Sequence, residues 1–160
     1  MHKIVVLWSA ALMLLLVSCD PARVYEQNID LPKGNWQIEN APVFEFEIQD
    51  TTKVYDIYFN VRYNLQYDFY NLYLRHQLLA PDSSELSSKL HEIMLMDAKT
   101  GKPLGTGSSD TFDLQALALD DVKFDKAGKY SIKLTQYMRR DPLLHILAIG
   151  VRVSENKAGK

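Results

Sequence analysis

From Val54 to Asn64 the chain alternates without a break. Tyr55, Ile57, Phe59, Val61 and Tyr63 fall on one side, and Asp56, Tyr58, Asn60, Arg62 and Asn64 on the other. Successive side chains of an extended backbone point to opposite faces, so this is a strand buried on one face; a helix would scatter the apolar set around its circumference. The same period governs Val43–Gln49, with Phe44, Phe46 and Ile48 inward, and Asn71–Leu79, with Leu72, Leu74, His76 and Leu78 inward. It returns over Tyr130–Met138, where Tyr130, Ile132, Leu134, Gln136 and Met138 share a face. Ser88–Met96, Pro103–Ser108, Val122–Phe124 and Ile146–Val153 read as further strands. Thr111–Leu119 reads as a helical turn or a crossing loop. Asp125-Lys126-Ala127-Gly128-Lys129-Tyr130 has the form of a tyrosine corner, and Trp36 is placed to plug the core. Seven to nine short strands with no long helix imply an all-β fold, an antiparallel β-sandwich of immunoglobulin-like or jelly-roll topology.

The first residues have a different character. Met1-His2-Lys3 precedes an apolar run from Ile4, too short for a membrane span and laid out as an export signal. The run ends in Leu16-Val17-Ser18-Cys19, which resembles the bacterial lipobox. That resemblance implies cleavage before Cys19 and acylation of its thiol and new amine. Cleavage there removes 18 of 160 residues and leaves 142, enough for one domain. The expected division is a signal peptide at 1–18, lipid anchor with tether or first strand at 19–30, the sandwich at 31–154 and a polar tail at 155–160. Acyl chains contribute about 0.8 kcal/mol per buried CH₂, so the membrane is a partner through the lipid alone.

Lys3 is the only charged residue removed, leaving 17 Lys and Arg against 20 Asp and Glu. So even a balance gives no electrostatic basis for a nucleic-acid partner. Cys19 is the only cysteine, which excludes an internal disulfide. His76, His91 and His145 show no ligand spacing, so no metal is expected. His76 among leucines reads as a hydrogen-bonded histidine at the core's edge. Gly105-Thr106-Gly107-Ser108 lacks the ending of a phosphate loop and the spacing of a nucleophile elbow. No enzyme signature is present, and no cofactor beyond the covalent lipid on Cys19 is expected.

The one local excess is aromatic. Six of nine tyrosines lie at 55, 58, 63, 67, 70 and 73, with Phe59 and Phe69 among them. Tyr58 and Tyr73 fall opposite their strands' apolar stripes, and Tyr67, Phe69 and Tyr70 lie in the connecting loop. Rigid amphipathic rings suit a protein interface or, alternatively, a platform on which a glycan stacks. Met138-Arg139-Arg140, leaving a strong strand, is a second candidate contact. The candidate interface is thus Tyr58, Tyr67, Phe69, Tyr70, Tyr73, Met138, Arg139 and Arg140.

Several motifs then occur in order. The lipobox is followed by Leu31-Pro32…Trp36, Asp50-Thr51-Thr52 before Tyr55, and Asn64-x-x-Tyr67-x-x-Tyr70-Asn71-Leu72-Tyr73-Leu74. Gly101-x-x-Leu104-Gly105-x-Gly107-Ser108-Ser109-Asp110, Phe124…Gly128-x-Tyr130…Gln136-x-Met138-Arg139 and Ile149-Gly150-Val151-Arg152-Val153 complete the set. The ordered set resembles the gliding motility lipoprotein family GldH of the Bacteroidota. Residues 143–148 depart from it in being more apolar. The resemblance implies a non-enzymatic outer-membrane lipoprotein that supports gliding and the linked type IX secretion machinery through envelope proteins. Asp20-Pro21-Ala22 lacks the acidic cluster that resembles a surface-export signal, which implies an outer membrane protein facing the periplasm.

Overall fold

The computed structural model describes residues 20–156; Cys19 and the expected signal peptide lie outside the described residues. Eleven strands account for most of the chain. They are β1 (Arg23–Asp30), β2 (Asn35–Trp36), β3 (Val43–Ile48), β4 (Tyr55–Asn64), β5 (Asn71–Leu79), β6 (Glu85–Met94), β7 (Thr106–Ser108), β8 (Thr111–Val122), β9 (Gly128–Gln136), β10 (Leu143–Leu144) and β11 (Ile146–Glu155). They form a five-stranded sheet, β1-β11-β4-β8-β7, a four-stranded sheet, β3-β9-β5-β6, and a small ribbon of β10 and β2. All strand pairings among the described residues are antiparallel. The two large sheets pack as the expected sandwich. Only the β5–β6 and β7–β8 connections are hairpins within one large sheet.

The alternating runs put their apolar sides between the sheets. Tyr55, Ile57, Phe59, Val61 and Tyr63 of β4 are all at most 2% exposed, as are Phe44, Phe46 and Ile48 of β3. Leu72, Leu74, His76 and Leu78 of β5 and Tyr130, Ile132, Leu134 and Gln136 of β9 join β3 on the inner face of the four-stranded sheet, opposite β4. Each large apolar side chain so buried contributes about 1.5–3 kcal/mol. Trp36 is fully buried as expected, paired by its backbone with Leu143. The tyrosine corner is present: the Tyr130 hydroxyl donates to the Lys126 carbonyl at 2.7 Å.

Three segments differ from expectation, the first being Val122–Phe124, which is no separate strand: Val122 ends β8 and Phe124 is buried beyond it. Thr111–Val122 is the long strand β8, not a helical turn or loop. Its inward positions are Phe112, Leu114, Ala116 and Ala118, of which the two alanines are weak markers of period two, and a register irregularity near Ile57 breaks the alternation further. The segment read as tether or first strand contains β1, paired with β11 from Arg23 to Asp30. At the other terminus β11 continues through Glu155, whose N–H donates to the Ala22 carbonyl.

The ends of the described chain and its loops sort to two ends of the sandwich. Ala22 meets Glu155, and Val54 accepts from the Asn156 N–H, so both ends of the described chain lie together at one end of the sandwich. That end also holds the 49–54, 80–84 and 123–127 turns, linked by a Tyr55–Phe124 ring contact and the Lys126–Asp82 ion pair. The far end holds the 31–42, 65–70, 95–105 and 137–145 loops. Bonds from Ile38 N–H to Asp141, Asn64 N–H to His145 and Met96 N–H to Tyr70 join them. A ten-residue strand such as β4 separates the ends by about 30 Å.

Candidate functional site

The six clustered tyrosines do two different jobs. Tyr55, Tyr63 and Tyr67 are buried, and each hydroxyl donates to a backbone carbonyl: Asp50 at 2.6 Å, Leu95 at 2.5 Å and Asn71 at 2.9 Å. The Tyr63 oxygen also accepts from the Gly105 N–H at 3.2 Å. These rings fill the core while their hydroxyls satisfy loop backbone that water cannot reach. Tyr67 is therefore not the exposed contact expected: it packs inward against Phe69, and burial pushes its phenol well above the usual range. Its place in a loop, with no strand period to read, hid that direction.

The single aromatic platform expected from Tyr58 and Tyr73 does not exist. Tyr58 lies on the outer face of the five-stranded sheet, and Tyr73 on the outer face of the four-stranded sheet. Those faces point away from each other. Both rings are half-buried, and Glu92, accepting from the Tyr73 phenol, raises its pKa.

Two candidates that lie 71 residues apart in sequence, Phe69 and Arg140, do come together. Arg140, in the loop after β9, forms an ion pair with Asp68 at 2.6 Å, and its guanidinium lies 5.6 Å from the centre of the Phe69 ring. Met138 is half-buried rather than projecting, and its sulfur accepts from the Tyr73 N–H at 3.2 Å. Arg139 and Tyr70 are exposed beside them. The Gln136 side chain closes the loop by donating to the Arg140 carbonyl and accepting from the Met138 N–H. Tyr137 and Arg75 complete the patch, with the guanidinium 5.2 Å from the ring centre. Both lie outward of the strand stripes, a signal the sequence carried but that the tyrosine cluster overshadowed.

Around this patch the far end is apolar. Ile38, Leu65, Tyr70, Met94, Leu104, Tyr137 and Leu144 belong to it, seven of the twelve large hydrophobic side chains exposed among the described residues. Exposed apolar and aromatic groups concentrated in one region, with arginine among them, are the composition of a protein contact.

The histidines hold another juxtaposition that spacing concealed. His76 is fully buried; its Nδ1 lies 2.7 Å from His91 Nε2, and its Nε2 lies 3.1 Å from Ser87 Oγ. The β5–β6 register makes them diagonal neighbours, Leu74 facing His91 and His76 facing Lys89. Burial, with His91 and Lys89 adding to it, pushes the His76 pKa down to about 4. Burial and Lys89 lower that of His91. Among the described residues no three metal-ligating side chains converge.

The comparisons with known proteins agree along almost the whole described chain. Residues 23–153 match the model of the GldH lipoprotein family. The chain is 33% identical over 129 residues to a gliding motility lipoprotein GldH homolog of Christiangramia forsetii, covering 81% of this chain and 77% of that protein. It is 27% identical over 150 residues to gliding motility lipoprotein GldH of Flavobacterium johnsoniae, covering 89% and 91%. From the strand pattern, the buried tyrosines and these matches, the chain belongs to the GldH lipoprotein family.

Proposed function

We propose that the chain is a non-enzymatic, lipid-anchored envelope protein that supports gliding motility by holding a protein-binding surface away from the membrane. Cys19 carries the lipid and directly precedes Asp20 in sequence, and the described chain begins at the end where Ala22 meets Glu155. The partner surface is the opposite end: Phe69, Tyr70, Tyr137, Arg139 and Arg140 with the exposed leucines around them. The observation that carries this reading is the gathering of exposed apolar side chains at the end opposite the one where the described chain begins. The relatives' names supply the process, and the occupants of the surface are envelope components of gliding and the linked type IX secretion machinery. The location is the outer membrane, on its periplasmic side.

In-cell crosslinking and affinity capture of the lipidated protein test this. Gliding or secretion components should be recovered with the native chain and lost from a Tyr70→Ala/Arg140→Ala double variant that remains folded and membrane-bound. Equal recovery with that variant would overturn the assignment of the surface.

A further inference from the structure

The outer face of the five-stranded sheet holds a polar trough of about 270 Å³, on a different face from the far-end surface. Its shape follows from strand register. One cross-strand row reads Asn28, Gly150, Asn60 and Gln115; the next reads Asp30, Ala148, Arg62, Asp113 and Thr106. The strand β11, second in the sheet between β1 and β4, thus presents only Gly150 and Ala148 between longer neighbours, and the sheet surface sinks there. A Cβ on Gly150 would meet Asn28 Oδ1 at 1.8 Å, so the amide already lies over that position.

The walls form one directed hydrogen-bond chain. Gln115 Nε2 donates to Asn60 Oδ1 at 2.8 Å, and Asn60 Nδ2 donates to Asn28 Oδ1 at 3.1 Å and Glu26 Oε1 at 3.0 Å. The chain fixes Asn60 and leaves the Asn28 Nδ2 donor and the Gln115 Oε1 acceptor open at its two ends. The cationic groups beside it are matched within the protein, while exposed Asp30 in the next row has no ion pair among the described residues. Arg62 pairs with Asp113 through two nitrogens at 2.8 and 3.3 Å, and Glu26 pairs with Arg152 and Arg23. A site with planar amide donors and acceptors, no spare cation and a free carboxylate beside it selects against anionic ligands and favours one rich in hydroxyls. The row below adds Tyr58 and the exposed Leu117, an aromatic and apolar shelf for the C–H face of a ring.

The geometry points to a saccharide-binding site in this trough, taking a short neutral glycan with Asn28, Asn60 and Gln115 on its hydroxyls and Tyr58 beneath a ring. It differs from a stacking platform shared by Tyr58 and Tyr73, which the fold forbids, and it stands independently of the far-end protein surface.

The test uses the full lipidated chain in phospholipid nanodiscs, presented to arrayed neutral gluco-, manno-, galacto- and xylo-oligosaccharides beside sulfated and uronate counterparts. The expected result is saturable retention by a neutral class that persists in high salt. Retention should fall at least tenfold in Gln115→Ala and Asn60→Ala and stay unchanged in Tyr70→Ala. Gln115 is exposed, so its variant loses the contact without disturbing the core. Retention by none of the neutral glycans, retention by acidic glycans only, or retention unaffected by Gln115→Ala would overturn the inference.

Discussion

The two ends of the sandwich are built from similar turns but finished differently. At the terminal end, short loops are tied by polar side chains. Asp50 and Asp82 each accept from the backbone N–H and hydroxyl two residues on, Lys53 pairs with Glu155, and Tyr55 and Tyr130 hydroxyls seal their own turns. Such turns need little apolar cover. At the far end the loops are longer, their backbone is satisfied by Tyr63, Tyr67 and Gln136 from below, and their apolar side chains face out. The lesson is that polar groups spent inside a loop free its outer side chains for another protein. A lipid beside the terminal end would leave that surface directed away from the membrane.

The largest effect that can break this comparison is positional. Cys19→Ser should move the protein wholly from the membrane to the soluble fraction, with its fold intact by circular dichroism; a variant still held after a high-salt wash would show that the polypeptide itself binds the membrane.

Next comes pH. The folded state keeps His76 neutral down to about pH 4, whereas the unfolded chain takes up its proton near 6.5. The unfolded state therefore binds more protons between those values, and stability is full above the upper one and falls as pH drops toward the lower. The loss should approach about 3 kcal/mol, read by urea unfolding at neutral and acidic pH. His91 shifts in the same direction. His76→Leu should flatten the profile; an unchanged slope would remove the buried pair as its cause.

Loop ties should rank by what they strand. Tyr63→Phe orphans the Gly105 N–H at the far end, leaves the Leu95 carbonyl with the Leu104 N–H as its one partner, and should cost about 2 kcal/mol. Tyr130→Phe orphans only the Lys126 carbonyl at the terminal end and should cost about 1 kcal/mol. Equal costs would argue that the far-end loops do not depend on support from below. The smallest effect belongs to Arg140→Ala, whose ion pair with Asp68 is solvent-exposed on both sides and contributes under about 1 kcal/mol. A larger destabilisation would make Arg140 a structural residue rather than a contact.

The sandwich was legible because β3, β4, β5 and β9 bury one face each, and a half-buried strand writes its period into the sequence. β8 was not legible, since Ala116 and Ala118 face inward where a stronger signal would have placed leucine or valine. The candidate site was half legible. Tyr70 and Arg140 were found by composition, but Tyr67 was assigned outward because a loop carries no periodicity. The meeting of Arg140 with Asp68 and Phe69, and of His76 with His91, depends on which strands become neighbours. The trough depends on the same pairing, because Asn28, Asn60 and Gln115 form a row only when β1, β11, β4 and β8 are side by side. No local spacing contains that order.

Site-specific photocrosslinking in living cells tests the central claim most directly. A photoreactive residue would replace Tyr70 or Tyr137 at the far end, and Thr51 or Lys126 at the terminal end, in the lipidated chain. The account predicts crosslinks to a discrete envelope protein from Tyr70 and Tyr137 and none from Thr51 and Lys126. Crosslinks from the terminal positions alone would contradict it and place the contact beside the membrane.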